Sequence, residues 1–202
     1  MKTHDLIVLG AGNAGLAAAS IANEAGWSVL VAESLDVGGT CPLRGCVPKK
    51  VLVAAAEALD IIRRASAHGI TVSEPKLDWG QLIRRERTFV EGVPAQFAES
   101  LARRGIELMK GHARFVSEDS IEVDGRRFTA EKILVATCSA PRQLAIPGFE
   151  HALSSADLLA REALPRSIAF VGAGVIGFEL AHVLARAGSQ VTLLEVAERP
   201  LP

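Results

Sequence analysis

The 202-residue chain has no tyrosine, and aromatic residues make up only 4% of it. Proteins that bind single-stranded nucleic acid stack bases on aromatic rings, so the chain has little to offer that class of function. Charge is nearly balanced, with 22 Lys and Arg against 23 Asp and Glu. A broad electrostatic pull towards nucleic acid or an anionic membrane is therefore missing as well. The paired arginines Arg63-Arg64, Arg84-Arg85, Arg103-Arg104 and Arg126-Arg127 have no aromatics between them and read as solvated faces. No apolar run reaches the roughly 20 residues of a membrane span. Lys2 and the alanine-rich run after it imitate a secretory leader, but Asp5 interrupts the apolar stretch. The five histidines (His4, His68, His112, His151 and His182) are scattered, and no second close cysteine pair accompanies Cys41 and Cys46, which argues against structural zinc. What remains is a chain expected in the cytoplasm. It is 49% hydrophobic, and its length suits one large domain or two small ones.

Glycine patterning is what the chain does have. Asp5–Gly10 reads as a short buried strand, and Gly10-Ala11-Gly12-Asn13-Ala14-Gly15 follows it. An alanine-rich helical stretch then runs to Gly26, and Ser28–Glu33 reads as a second strand. This is G-x-G-x-x-G with a strand before it and a helix after it. Gly10 suits the tight turn, Gly12 the approach of a pyrophosphate to backbone, and Gly15 close helix–strand packing. The helix N-terminus offers amide donors to phosphate, and Glu33 is positioned for ribose hydroxyls. The pattern recurs as Ser167–Val171, then Gly172-Ala173-Gly174-Val175-Ile176-Gly177, then Gln190–Glu195. First glycine and acid are 23 positions apart in both copies, Gly10 to Glu33 and Gly172 to Glu195. Two dinucleotide sites are therefore expected.

Just beyond the first site lies Gly38-Gly39-Thr40-Cys41-Pro42-Leu43-Arg44-Gly45-Cys46-Val47-Pro48-Lys49-Lys50. Five residues of α-helix rise about 7.5 Å, whereas a disulfide needs Cα atoms about 4.4–6.8 Å apart. A bonded pair could not lie in regular helix, so Cys41 is expected at a helix mouth and Cys46 about one turn in. Two buried thiols of no redox role are the plain alternative. A dithiol between two dinucleotide sites instead suggests electrons passing from one cofactor to another and on to a disulfide.

With these motifs in place, the chain resembles the class I pyridine nucleotide–disulfide oxidoreductases, the flavoprotein family of glutathione reductase, dihydrolipoamide dehydrogenase and mercuric reductase. The resemblance runs from residue 5 to the end of the chain, and Gly39–Lys50 is its most specific segment. It implies an α/β fold: a Rossmann-like FAD-binding domain with an antiparallel β excursion over residues 1–149, then a truncated second Rossmann-type βαβ unit over 150–202. It implies FAD in the first site and NAD(P)H in the second, with NADH favoured because Glu195 would repel the extra phosphate of NADP. By the same resemblance Cys46 is the thiol facing the flavin and Cys41 the interchange thiol that attacks substrate. Lys50 lies near the reactive flavin nitrogen and Glu179 pairs with Lys50. The implied cofactor contacts are Gly10, Gly12, Asn13, Ala14, Gly15, Glu33, Gly39, Thr40, Lys50, Ala113, Ala136, Thr137 and Cys138, then Gly172, Gly174, Val175, Ile176, Gly177 and Glu195. The implied partner is a small-molecule disulfide or related redox substrate. A non-catalytic nucleotide-binding fragment, or a flavin reductase acting on a quinone, is the alternative.

Between the two fingerprints, residues 41–68 read as a long helix ended by Gly69. Residues 78–104 read as a second helical region broken at Gly92-Val93-Pro94. Short strands are expected near His112–Val116, Ser120–Val123 and Arg127–Thr129, with Asp124-Gly125 as a hairpin turn, and another at Lys132–Ala136. Three departures from the family stand out. Cys138 occupies a position where relatives carry glycine. Ser20 stands where glutathione reductases carry an arginine, while Lys49 is the glutathione-reductase-like residue. Finally, relatives continue well past residue 202 with the rest of the nicotinamide domain and a dimerisation domain, so a fragment with little turnover alone, exposing apolar surface on its second βαβ unit, is expected.

Overall fold

A computed structural model describes residues 2–201. The first elements are β1 (Lys2–Leu9), α1 (Asn13–Glu24), β2 (Val29–Glu33), α2 (Thr40–Arg44) and α3 (Cys46–Arg63). There follow α4 (Trp79–Val90), α5 (Val93–Arg103), β3 (Glu107–Lys110), β4 (Ala113–Phe115), β5 (Ser120–Val123) and β6 (Arg126–Val135). The remainder is α6 (Ser155–Leu159), β7 (Ser167–Val171), α7 (Val175–Ala187) and β8 (Gln190–Leu194). The chain forms two compact units. The first is the chain up to Leu43 with Val90–Arg142, and the second is Arg44–Phe89 with the chain from Gln143 onward.

The first unit is built on a six-stranded mixed sheet in the order β3-β2-β1-β6-β5-β4. Strands β3, β2, β1 and β6 run parallel, while β5 pairs antiparallel with both β6 and β4. Alternation along the strands sends side chains to two faces. Leu6, Val8, Val29 and Val31 pack with Ala19 of α1 and Leu101 of α5 on one face. Ile7, Leu9, Leu30 and Ala32 pack with Ile121, Val123 and Phe128 on the other. Burial on both faces accounts for the unbroken apolar runs of β1 and β2.

Strand β6 corrects the sequence reading. Arg127–Thr129 and Lys132–Ala136, expected as separate strands, are one strand. Ala130 and Glu131 separate the two expected strands, but Ala130 is buried and Glu131 exposed, the alternation of a continuing strand. The strand persists because Arg126–Thr129 pairs with β5 while Phe128–Val135 pairs with β1. The expected Asp124-Gly125 turn is present, with both residues at positive φ (47° and 76°), as a two-residue hairpin of this kind requires. Strand β3 had no signal, since only Leu108 and Met109 are apolar there; its pairing with β2 defines it. The helix expected over 41–68 is divided, because Gly45 (φ −141°, ψ −104°) separates α2 from α3. Its far end is as expected, with a short 3₁₀ turn closing on Gly69 at φ +72°. The break between α4 and α5 falls as expected, and Pro94 sits in the first turn of α5.

In the second unit, Leu52 and Ala56 of α3 pack with Leu82 and Ile83 of α4, Leu158 and Leu159 of α6, and Leu180, Val183 and Leu184 of α7. Buried Trp79 donates its indole N–H to the Arg161 carbonyl at 2.9 Å. The parallel pair β7–β8 turns Ile168, Phe170 and Val191 onto this core. It leaves Val171 and Leu194 more than half exposed, the apolar surface expected of a lone βαβ repeat. Among the described residues, no helix is long and apolar enough to cross a membrane.

Candidate functional site

Both glycine fingerprints adopt the same local geometry. After β1, Gly10 takes φ +103° and its N–H donates to the Ala32 carbonyl at 2.8 Å. After β7, Gly172 takes φ +102° and its N–H donates to the Leu194 carbonyl, also at 2.8 Å. A Cβ on Gly15 would lie 1.9 Å from the Gly10 oxygen, and one on Gly177 would lie 2.5 Å from the Gly172 oxygen. The two acids match as well. Glu33 accepts the Ala11 N–H at 2.7 Å, and Glu195 accepts the Ala173 N–H at 2.7 Å. Glu33 also accepts the Leu35 N–H, and Glu195 those of Val196 and Ala197. The amides of Ala197, Ala173 and Val196 hold the Glu195 carboxyl below the usual carboxylate range, so it is charged at neutral pH.

The first loop is the more enclosed of the two. A Cβ on Gly10 would lie 2.4 Å from the Ala136 oxygen, and one on Gly39 (φ +72°) would lie 2.6 Å from the Gly12 Cα. The Gly38 N–H donates to the Ala11 carbonyl and the Ala136 N–H to the Leu9 carbonyl, each at 2.8 Å. Gly10, Gly12, Gly39, Thr40, Ala136, Thr137 and Cys138 thus converge at the start of α1. No side chain caps that helix, and Asn13 and Ala14 in its first turn are exposed. Uncapped N–H groups beside crowded glycine backbone form a cradle that suits a dinucleotide diphosphate. Around Gly172 and Gly174, by contrast, an added Cβ meets nothing within 4 Å, and Val175 and Ile176 stand open to solvent. Ala113 is apart from the loop, on β4 opposite Val123 and packed on the second core. It lies two residues beyond Gly111, whose N–H donates to the Glu33 carbonyl.

Cys138 takes φ +64°, the left-handed region that glycine occupies without penalty. Its thiol is exposed and lies 3.8 Å from the Thr40 hydroxyl. The Ser139 backbone, followed by the Thr40 hydroxyl, holds that thiol below the usual range. Cys138→Gly should stabilise the fold by roughly 0.5–1 kcal/mol, the left-handed penalty less the extra freedom of glycine in the unfolded chain. A higher urea midpoint at unchanged slope would register it.

Cys41 is half-buried in α2, whereas Cys46 is exposed as the first residue of α3. Cys46 therefore opens a new helix, instead of lying one turn into the helix of Cys41. On α3 it is Lys49, and not Lys50, that forms the ion pair with Glu179 of α7. Lys49, Leu52, Ala56 and Leu59 recur at three- and four-residue spacing and share one face; Leu52 and Ala56 join the core with α7. Lys50 is turned off that face and is exposed. Which lysine meets Glu179 follows from the packing of Leu52 and Ala56 against α7. Among the described residues, no cluster of metal-ligating side chains exists.

Two glycine loops, each opening a helix and each closed by an acid on the following strand, define an α/β protein with two repeats of one strand–loop–helix–strand unit. A family model described as pyridine nucleotide-disulphide oxidoreductase matches residues 4–202, and the chain belongs to that family. It is 37% identical over 205 residues to dihydrolipoyl dehydrogenase of Mycoplasma genitalium, covering 98% of this chain and 45% of the relative. It is 36% identical over 198 residues to glutathione reductase of Nostoc sp., covering 98% and 43%. Among solved structures it superposes with TM-score 0.83 and 28% identity on a flavoprotein disulfide reductase, RclA of Escherichia coli, in the Cu(II) complex of a cysteine-to-serine mutant. That match covers 98% of this chain and 44% of RclA. The chain spans less than half the length of the relatives it matches.

Proposed function

We infer that this chain is the flavin- and dithiol-bearing part of an FAD-dependent NAD(P)H:disulfide oxidoreductase, with an FAD domain over residues 1–149 and the start of a nicotinamide-nucleotide domain over 150–202. The observation that carries this reading is the crowded loop at Gly10, Gly12 and Gly39, which leads directly into the Cys41–Cys46 segment. When bound, FAD would supply two-electron transfer between a reduced nicotinamide nucleotide and the protein dithiol. The chain's own residues supply the rest. Amides of the first turn of α1 hold the diphosphate, and Glu33 orients a ribose. Cys41 thiolate attacks one sulfur of a small disulfide and expels the other half as a thiolate. Cys46 thiolate then attacks the Cys41 sulfur, expelling the second half and closing a Cys41–Cys46 disulfide. Lys49, paired with Glu179, holds a positive charge on α3 three residues beyond Cys46.

Glu195, negatively charged, favours the free 2′-hydroxyl of NADH over the phosphate of NADPH. A cycling dithiol, as opposed to a structural disulfide, fits a cytoplasmic protein. The test is the visible absorption spectrum of the purified protein after incubation with FAD and desalting. Retained flavin absorbance is the expected result, and a spectrum without flavin overturns the reading for this chain.

A further inference from the structure

Cys138, the third cysteine, has no role in the steps above, yet it stands beside the residue that precedes Cys41. Its sulfur contacts the Thr40 hydroxyl at 3.8 Å, and Thr40 and Cys41 are the first two residues of α2. The contact is built from both sides. The end of β6 is fastened to the first glycine loop by the Ala136 N–H on the Leu9 carbonyl. The start of α2 is fastened to the same loop by the Gly38 N–H on the Ala11 carbonyl and by Gly39 packed on Gly12. At φ +64°, Cys138 adopts a strained backbone at the point where its thiol meets α2. Ser139 and Thr40 favour the thiolate of Cys138, the nucleophilic form. Gly38 and Gly39 both have positive φ, at 123° and 72°, and precede a helix only five residues long. Thr40 and Cys41 are successive residues of that helix, about 100° apart around its axis, so Cys41 comes opposite Cys138 only if the helix turns by that angle.

We propose that Cys138 is a second resolving thiol for Cys41. Cys138 thiolate attacks the Cys41 sulfur when Cys41 is bonded either to Cys46 or to half of a small disulfide. A Cys41–Cys138 bond forms and the former partner leaves as a thiolate. One S–S bond breaks and one forms, with no net oxidation. The exchange parks Cys41 away from Cys46 and holds the dithiol out of its cycle. It rests on the reading of Cys41 as the interchange thiol.

Trypsin separates the three cysteines, because cleavage after Lys2, Arg44, Lys49, Lys132 and Arg142 puts Cys41, Cys46 and Cys138 on peptides 3–44, 45–49 and 133–142. The reduced Cys46→Ser protein is treated with glutathione disulfide and mapped without reduction, alongside Cys46→Ser/Cys138→Ser. The expected result is peptide 3–44 joined to 133–142 in the single variant, with a Cys41–glutathione adduct at least about tenfold shorter-lived than in the double variant, as intramolecular attack allows. An adduct that persists equally in both, with no joined peptide, overturns the proposal while leaving Cys41 as the interchange thiol. No adduct on Cys41 in the double variant overturns that underlying assignment, and the proposal with it.

Discussion

Cys41→Ser should abolish reaction with disulfides. In the reduced protein treated with a small disulfide, release of both thiol equivalents should fall by roughly three orders of magnitude, as expected when the attacking nucleophile is lost. A hydroxyl at this position is close to neutral at any working pH, whereas a thiol supplies a thiolate fraction. Cys46→Ser/Cys138→Ser behaves differently. It releases one equivalent at near-normal rate and stops with half of the substrate attached to Cys41, visible as added mass. The pair of outcomes orders the two steps, because loss of the attacking thiol prevents both releases and loss of the resolving thiols prevents only the second. A quinone or oxygen acceptor would give the opposite pattern. NADH-dependent reduction of a quinone by the flavin-loaded protein would then survive serine at both Cys41 and Cys46, and that survival would sink the disulfide assignment.

Gly15→Ala should be the most damaging single-methyl change in the first unit. The added carbon would lie 1.9 Å from the Gly10 oxygen, well short of the 3.4 Å at which ordinary contact begins. That oxygen is backbone in a loop already pressed on Ala136 and Gly39, so the strain falls on the start of α1. Overpacking of this kind costs roughly 3 kcal/mol or more, read as a lowered urea midpoint. Displacing α1 also misaligns the amides that would face a diphosphate, so flavin retention should be lost even below the unfolding transition. Gly174→Ala is the control. An added Cβ there meets nothing within 4 Å, and only a poorer helix cap is expected, about 0.5 kcal/mol. Equal damage from both would remove the case that the first loop is specially constrained.

The glycine loops were legible because their chemistry is local. A strand, a tight turn and a helix start fall within a dozen residues, and each glycine has its own steric reason. Glu33 and Glu195 were legible for the same reason, since the following strand returns each acid to the turn. Less local features were harder to read. Strand β3 owes its existence to β2, whose paired residues precede it by 77 positions, and four residues with two apolar ones announce nothing. Ala130 and Glu131 read as a gap in β6, because neither reveals that the strand has a partner on each side. The exchange of Lys49 for Lys50 opposite Glu179 depends on which face of α3 meets α7. The departure at Cys138 was visible in the sequence, but its contact with Thr40 spans 98 positions and emerges only in the fold.

The double pairing of β6 also bears on the order in which the chain acquires its shape. Lys2 of β1 pairs with Phe128 of β6, 126 positions later, whereas Leu6 finds Val29 of β2 only 23 positions on. At about 5–20 residues per second on the ribosome, β1 waits roughly 6–25 s for its second neighbour. The β5–β6 hairpin, once made, closes in about 1–10 μs and offers β1 a finished template. Until then Ile7, Leu9 and Leu30 lack the Ile121, Val123 and Phe128 side chains that cover them. The nascent segment thus passes through an interval in which its most apolar face is bare and in need of shielding. The bond from Ala136 to Leu9 belongs to the same late event. Nucleotide-binding competence should therefore appear only after this interval ends, although Gly10, Gly12 and Gly15, which give the loop its form, are made more than 100 positions before Ala136.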